Sequence, residues 1–290
     1  MKFSFVSLVT KLTLATSVAG ALVGCDDPTY PTPTPVTESS VGQARVLVVN
    51  AAPGSQGVTI QLDNQAFGTI APYLGSAAGT YTSVNAGLRL LLFNDQANTP
   101  SNVPVTTPPA SPRTVVSRTS LLGGTNYTIF VTDPPSRAFV APVTATSDQG
   151  GIRTLTLTDN LAAPVVTTNA KIRFVNLAPT ATGGSTTYGI YNFVTSAPLF
   201  PVVPTRAYRG VSLTSTATPP VTTTFANFTE VAAGSYTLDV RSVATIPLAG
   251  TQQVITLVAG KIYTLYTQGI VVGATNNGPT PLGISVVTHN

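Results

Sequence analysis

Charge is scarce in this sequence. Asp, Glu, Lys and Arg make up 8% of its 290 residues, against about a quarter in an average soluble protein. Helices with solvated faces need more charge than that. There is no tryptophan, one cysteine (Cys25) and one histidine (His289). A single cysteine excludes an intrachain disulfide, and one Cys with one His cannot furnish a Cys/His zinc site. A nucleophile–histidine pair would have to recruit the penultimate residue, which its terminal place leads one to expect to be mobile. The basic residues are scattered from Arg45 to Lys261, with no run that could follow a phosphate backbone, so nucleic acid is not an expected partner. Neither a P-loop nor a GxSxG motif occurs. Thr, Val, Ala, Pro and Gly fill the space. Such β-branched, turn-rich composition predicts an all-β chain of strands joined by Gly/Pro turns.

The N-terminus reads as a leader. Met1–Lys11 is a weakly basic opening, and Leu12–Ala21 is an apolar stretch too short to span a bilayer. Leu22, Val23 and Gly24 then precede Cys25 in a pattern that resembles the bacterial lipobox. The resemblance implies acylation of Cys25 and cleavage after Gly24, so residues 1–24 are expected to be removed. Two or more acyl chains would make a stable anchor where one would be marginal. The mature chain would carry 12 Lys/Arg against 10 Asp/Glu. Residues 25–42, with Pro and Thr alternating over Pro28–Ser40, cannot pack and favour an extended tether. The expected address is the bacterial cell envelope, lipid-anchored, with the outer membrane or cell surface favoured over the periplasmic face.

An internal repeat dominates the rest. Ala44–Pro53 (ARVLVVNAAP) matches Ala170–Pro179 (AKIRFVNLAP) at an offset of 126. Val84–Gly87 matches Val231–Gly234 at 147, and Gly124–Ile129 matches Gly260–Leu265 at 136. Leu155–Leu157 matches Ile284–Val286 at 129. The shifting offsets place insertions around Leu199–Pro220 in the second copy and Asn98–Pro112 in the first, both rich in Pro and Thr, as surface loops are. Two domains follow, residues 43–161 and 169–290. The short connection between them predicts domains set end to end with limited freedom.

Within each copy the apolar period is two. Val46 and Val48, like Ile172 and Phe174, are expected to face inward, with Arg45 and Lys171 outward. Tyr236, Leu238 and Val240 should line a core face opposite Thr237, Asp239 and Arg241. Short segments between turn signals predict an antiparallel β-sandwich of roughly seven strands per copy. Gly87 and Gly234 can take positive φ before a strand. Tyr236 then suits a tyrosine corner, its ring packed inward and its hydroxyl tied to nearby backbone. The first copy has Arg89 there, so either Arg89 reaches an edge or the local register differs.

These segments together (ARVLVVNAAP, the AG-x-Y turn, AGKIYTLY, and RTLTLTDNLAAP leading to AKIRFVNLAP) resemble the bacterial family called domain of unknown function 4397. The resemblance covers nearly all of residues 43–290 as two tandem copies. It implies immunoglobulin- or transthyretin-like sandwiches on secreted or anchored envelope proteins. It supplies no catalytic residues.

Chemistry is thin elsewhere. Asp63, Asp95, Asp133, Asp148, Asp159, Glu230 and Asp239 are spread out, and turn or edge positions account for each. No metal or cofactor is expected, and Asp148-Gln149-Gly150 and Asp159-Asn160 read as turns rather than calcium ligands. Asn126-Tyr127-Thr128 and Asn227-Phe228-Thr229 fit a glycosylation triplet by chance. One aromatic cluster, Tyr188, Tyr191 and Phe193, could stack on a sugar, although such stripes more often belong to a core. The sequence therefore predicts a non-enzymatic structural or adhesive spacer held to a membrane through acyl chains on Cys25. A surface module that binds an extracellular glycan or protein is the alternative, and a hydrolase of unrecognised type the remote one.

Overall fold

The computed structural model describes residues 42–96, 114–137, 150–181, 183–214, 220, 222–270 and 279–290. Leu22, Val23, Gly24, Cys25, the tether and Asp148 lie outside the described residues. So do the whole first-copy insertion Asn98–Pro112 and residues 215–219 and 221.

Every regular element among the described residues is a strand. The first half holds β1 (Gln43–Asn50), β2 (Val58–Leu62), β3 (Gln65–Ala66), β4 (Thr82–Asn85), β5 (Gly87–Asp95), β6 (Thr114–Leu121), β7 (Asn126–Thr132) and β8 (Arg153–Asp159). They form two sheets, ordered β4-β1-β7-β8 and β3-β2-β5-β6. The second half holds β9 (Asn169–Asn176), β10 (Thr187–Asn192), β11 (Arg206–Ala207), β12 (Ser212–Thr214), β13 (Thr222–Thr224), β14 (Thr229–Ala232), β15 (Gly234–Val243), β16 (Ile246–Pro247), β17 (Gln253–Leu257), β18 (Ile262–Gln268) and β19 (Gly283–Thr288). Its sheets run β14-β9-β18-β19 and β11-β10-β15, with β16 and β17 both on the far side of β15, and β12 and β13 form a separate hairpin.

The two halves thus share one strand order. Pairing is antiparallel except at the centre of each inner sheet, where β1 runs parallel to β7 and β9 to β18. In each half the sheets face each other across an apolar core. The first buries Val46, Val48, Ile60, Phe93 and Ile129. The second buries Ile172, Phe174, Ile190, Leu238 and Val240. The inward residues read from the period of two are all there, and Tyr236 packs against the second core as expected.

The turns obey the repeat in detail. Gly87 and Gly234 have φ of 117° and 151°. The Tyr236 hydroxyl donates to the Ala232 carbonyl at 2.6 Å, closing the expected corner. Arg89 performs the same task in the first half. Its Nε donates to the Asn85 carbonyl at 2.7 Å, the position equivalent to Ala232, and Nη1 meets Asp63 at 3.0 Å. The register is therefore unchanged. Asn50 and Asn176 are a second matched pair, each accepting the amide two residues on through Oδ1.

The expectation of halves set end to end is corrected by a third core. Leu47, Val49, Ala51, Phe130 and Leu157 from the β4-β1-β7-β8 sheet pack on Val175, Leu177 and Tyr266 from the β14-β9-β18-β19 sheet. Both inner sheets are buried on both faces, so the described residues from Gly42 onward form a four-layered body. The physical reason was visible in the strands. Val46–Val49 and Ile129–Val131 are unbroken apolar runs, the mark of a strand with no wet face. An end-to-end arrangement would have left Leu47, Val49 and Phe130 in water.

Both halves turn the same end toward one another's chain entry. Gly42 sits there against Gly123, and the start of β5, with Leu88, and the turn carrying Leu122 lie beside the start of β1. Beside them lie the start of β9, the turn carrying Val258, and the connection 160–168. The Lys171 Nζ donates to the Ala162 carbonyl at 2.7 Å. We call this end the base.

Candidate functional site

The predicted aromatic cluster does not form one surface. β10 alternates, so Tyr188 joins Ile190 in the second core. Tyr191 points to the opposite face and is also buried, with the Arg241 guanidinium 5.0 Å from its ring centroid. Arg241 is fixed there by a two-pronged ion pair with Asp239, both contacts at 2.8 Å. Phe193 alone is open, at 41% exposure. Three residues read as a sugar platform are thus split among a core, a covered face and a rim.

The richest side-chain chemistry lies where the halves meet, at two polar clusters that sequence spacing could not assemble. At the base end, Asp159 from β8 faces Arg173 from β9 at 2.5 Å, both fully buried. The second Asp159 oxygen accepts the hydroxyls of Tyr81 and Thr128 at 2.7 Å each. Arg173 donates through Nε to the Thr264 hydroxyl at 2.7 Å and through Nη1 to the carbonyls of Thr158 and Ala226. Its guanidinium also lies 4.5 Å from the Phe228 ring centroid. Burial pulls Arg173 below its usual range, and Asp159 opposes that pull.

His289, expected to be mobile from its penultimate place, is instead buried and closes this network, because both ring nitrogens are held by hydroxyls. Its Nδ1 lies 2.7 Å from the Tyr81 hydroxyl and its Nε2 2.7 Å from the Thr264 hydroxyl. Tyr81 spends its proton on Asp159, so it accepts from Nδ1–H. Thr264 accepts from Arg173 and so gives its own proton to Nε2. Each proton then has one acceptor, and the ring is neutral. Burial pushes the histidine down to about 4, with Asp159 raising it and Arg173 lowering it. The same burial, with Asp159 beside it, pushes the Tyr81 phenol up.

At the other end Asp133 is gripped by Arg153 through both oxygens, at 2.8 and 2.9 Å. Arg137 lies 3.6 Å away and Arg209, from the second half, 4.0 Å. Arg209 also donates to the Thr154 carbonyl at 2.6 Å, tying the insertion after Leu199 to β8. In the same insertion Arg206 is stacked among Phe174, Phe200 and Phe225. Burial there lowers its guanidinium to about 10.

This arrangement holds charges still. Asp63, Asp133, Asp159 and Asp239 each face an arginine. Asp159, weighed above as a calcium ligand, is consumed by Arg173, Tyr81 and Thr128. Glu230 accepts the amides of Val165 and Val166, which hold it below its usual range. Among the described residues no group of three or more His, Cys, Asp or Glu could hold a metal ion. A shallow polar hollow of about 450 Å³ opens beside the connection, lined by Thr125, Asn126, Asn160 and Ala162 among others. It offers amide and hydroxyl groups but no reactive pair.

Comparison with known proteins gives the following. The family described as Domain of unknown function (DUF4397) matches over residues 44–183, which takes in the whole first sandwich and opens the second. No curated protein matches. A solved structure of a candidate cell adhesion protein from Parabacteroides distasonis aligns at 10% identity over 88% of this chain and 99% of its own, with a TM-score of 0.17. One from Bacteroides eggerthii aligns at 11% identity over 86% and 96%, with a TM-score of 0.18. At such scores the likeness does not bear on function.

Proposed function

We propose that this chain, which carries a DUF4397-like domain over residues 44–183, is a non-catalytic spacer or adhesive module of a bacterial cell envelope, held to a membrane through acyl chains on Cys25. The observation that carries the reading is the buried junction between the halves. It fuses four sheets into one stiff body and commits Asp133, Asp159, Arg173 and His289 to holding that body together. A stiff block held at one end by a Pro/Thr tether suits presentation of its far end away from the bilayer. A fully extended tether adds about 3 Å per residue. The leader and lipobox supply the address.

The test is made in cells that express the full chain. The wild type should fractionate with membranes, and Cys25→Ser should be released in soluble form. Adhesion to a host-matrix or sibling-cell surface should fall with the released variant. Equal fractionation of the two proteins would sink the anchor. Hydrolytic activity abolished by Asp133→Asn or Asp63→Asn, in a variant that still folds, would sink the non-catalytic reading.

Capture of a glycan or peptide is a second reading, and the hollow beside Asn126 and Asn160 favours it over the Tyr188–Tyr191 pair. An Asn160→Ala variant that bound a glycan array like the wild type would remove that hollow from consideration.

A further inference from the structure

The base of the folded body carries apolar side chains that the fold itself does not use. Leu88, near the start of β5, and Leu122, on the turn after β6, project from the first half, 67% and 64% exposed. Val258 occupies the turn equivalent to that of Leu122 in the second half and is also exposed. Val165, 89% exposed, and Val166 stand in the connection between them. The turns beside them have their amides already paired. The Gly124 amide donates to Gln43, Ala86 to Gly42, Ala233 to Thr168 and Gly260 to Asn169. These tips are therefore firm and have no folding role to explain their size.

Their charged neighbours are mostly cations. Arg45 is the third residue of β1, its guanidinium 5.3 Å from the Tyr81 ring centroid, Lys171 occupies the equivalent place in β9, and Lys261 precedes β18. Facing them are Glu230, held by the connection, and the Asn290 main-chain oxygen, which accepts from Lys261 at 2.9 Å. The polypeptide also enters the body at this end, through Gly42, directly after the tether that leads from Cys25.

We propose that the base is a membrane-docking surface: Leu88, Leu122, Val165, Val166 and Val258 enter the interfacial layer of a lipid bilayer, and Arg45, Lys171 and Lys261 meet its phosphates. This rests on the anchor proposed above. Tethering makes the docking intramolecular, so a handful of aliphatic tips suffices where a free protein would not bind. The body then stands upright on the bilayer, with the β15–β16 turn at Val243–Ile246 farthest from it.

The absence of tryptophan makes the test direct, since an introduced one is the sole indole. The full acylated chain carrying Leu122→Trp, Val258→Trp or Ile246→Trp is incorporated in phosphatidylcholine/phosphatidylglycerol vesicles with brominated chains. Docking places the indoles of the first two variants roughly 5–10 Å into the interface, and their emission should drop about twofold and shift to shorter wavelength. The Ile246→Trp signal should not change. Replacing phosphatidylglycerol with phosphatidylcholine should weaken the effect if the cations contribute as stated. If the chain sediments with vesicles yet none of the three is quenched, docking is overturned and the anchor stands. Equal quenching of all three overturns the upright orientation. A chain that fails to sediment overturns the anchor, and docking with it.

Discussion

Acidification offers a clean probe of the junction, because His289 is the one histidine in the chain. Its ring is neutral in the fold, and burial holds it at about 4, against about 6.5 in an unfolded chain. The unfolded state therefore binds the proton more tightly than the folded state does. Stability is fully present above pH 6.5 and is lost as pH falls toward 4. The linkage amounts to about 2 kcal/mol at pH 5 and about 3 kcal/mol once both states are protonated. A proton on Nε2 would also leave the Thr264 hydroxyl without its acceptor, which is the structural form of the same cost. Urea midpoints of the wild type and of His289→Gln, measured from pH 7.5 to 4.5, isolate this contribution. Glutamine can bridge Tyr81 and Thr264 without titrating. The wild-type curve should fall below that of the variant by the stated amount as pH drops. Parallel curves over that window would refute the assignment of a buried neutral ring.

Three further perturbations test the same architecture. Arg173→Met strands the Asp159 carboxylate and should cost about 3–5 kcal/mol in urea unfolding; a loss below about 1 kcal/mol, typical of an exposed pair, would mean the junction is wet. Phe130→Ala empties the contact with Tyr266 and should cost about 3–5 kcal/mol, lowering the single calorimetric transition expected of the wild type; two independent wild-type transitions would show that the junction does not couple the halves. Arg89→Tyr rebuilds in the first half the corner of the second and should stay within about 1 kcal/mol of the wild type, whereas Arg89→Ala loses the bond to Asn85 and costs about that much; equal loss in both would contradict the equivalence of the two turns.

Much of the fold could be read from the chain because its information is local. Alternation placed Val46, Val48, Leu238 and Val240 inward, and glycine followed by a tyrosine two residues on marked the corner at Tyr236. The parallel pairing of β1 with β7 could not be read, since some seventy intervening residues separate partners that share no sequence mark. The junction left a partial trace. Val46–Val49 is apolar on both faces, and a strand with one wet face would not be. Arg173 interrupts the corresponding run in β9, which reads as an outward charge until Asp159 is seen across from it. Two such charges are brought together only by the stacking of two sheets. Tyr188 and Tyr191 were grouped by proximity in sequence, yet their spacing of three on a strand sends them to opposite faces.

The contact of Phe130 with Tyr266, at 5.4 Å between ring centroids, joins positions equivalent under the repeat offset of 136. It also ties the fate of the first half to a segment made late, β18. During synthesis, the face bearing Leu47, Val49 and Phe130 emerges long before β18 delivers Tyr266 to cover it. Until then the half-finished protein displays a flat apolar sheet, the kind of surface that attracts its own copies and the holding chaperones that prevent their clustering. A nonsense codon anywhere between the halves would freeze the chain in that sticky condition. Fusing two copies face to face thus yields a stiff product at the cost of a vulnerable interval in its making.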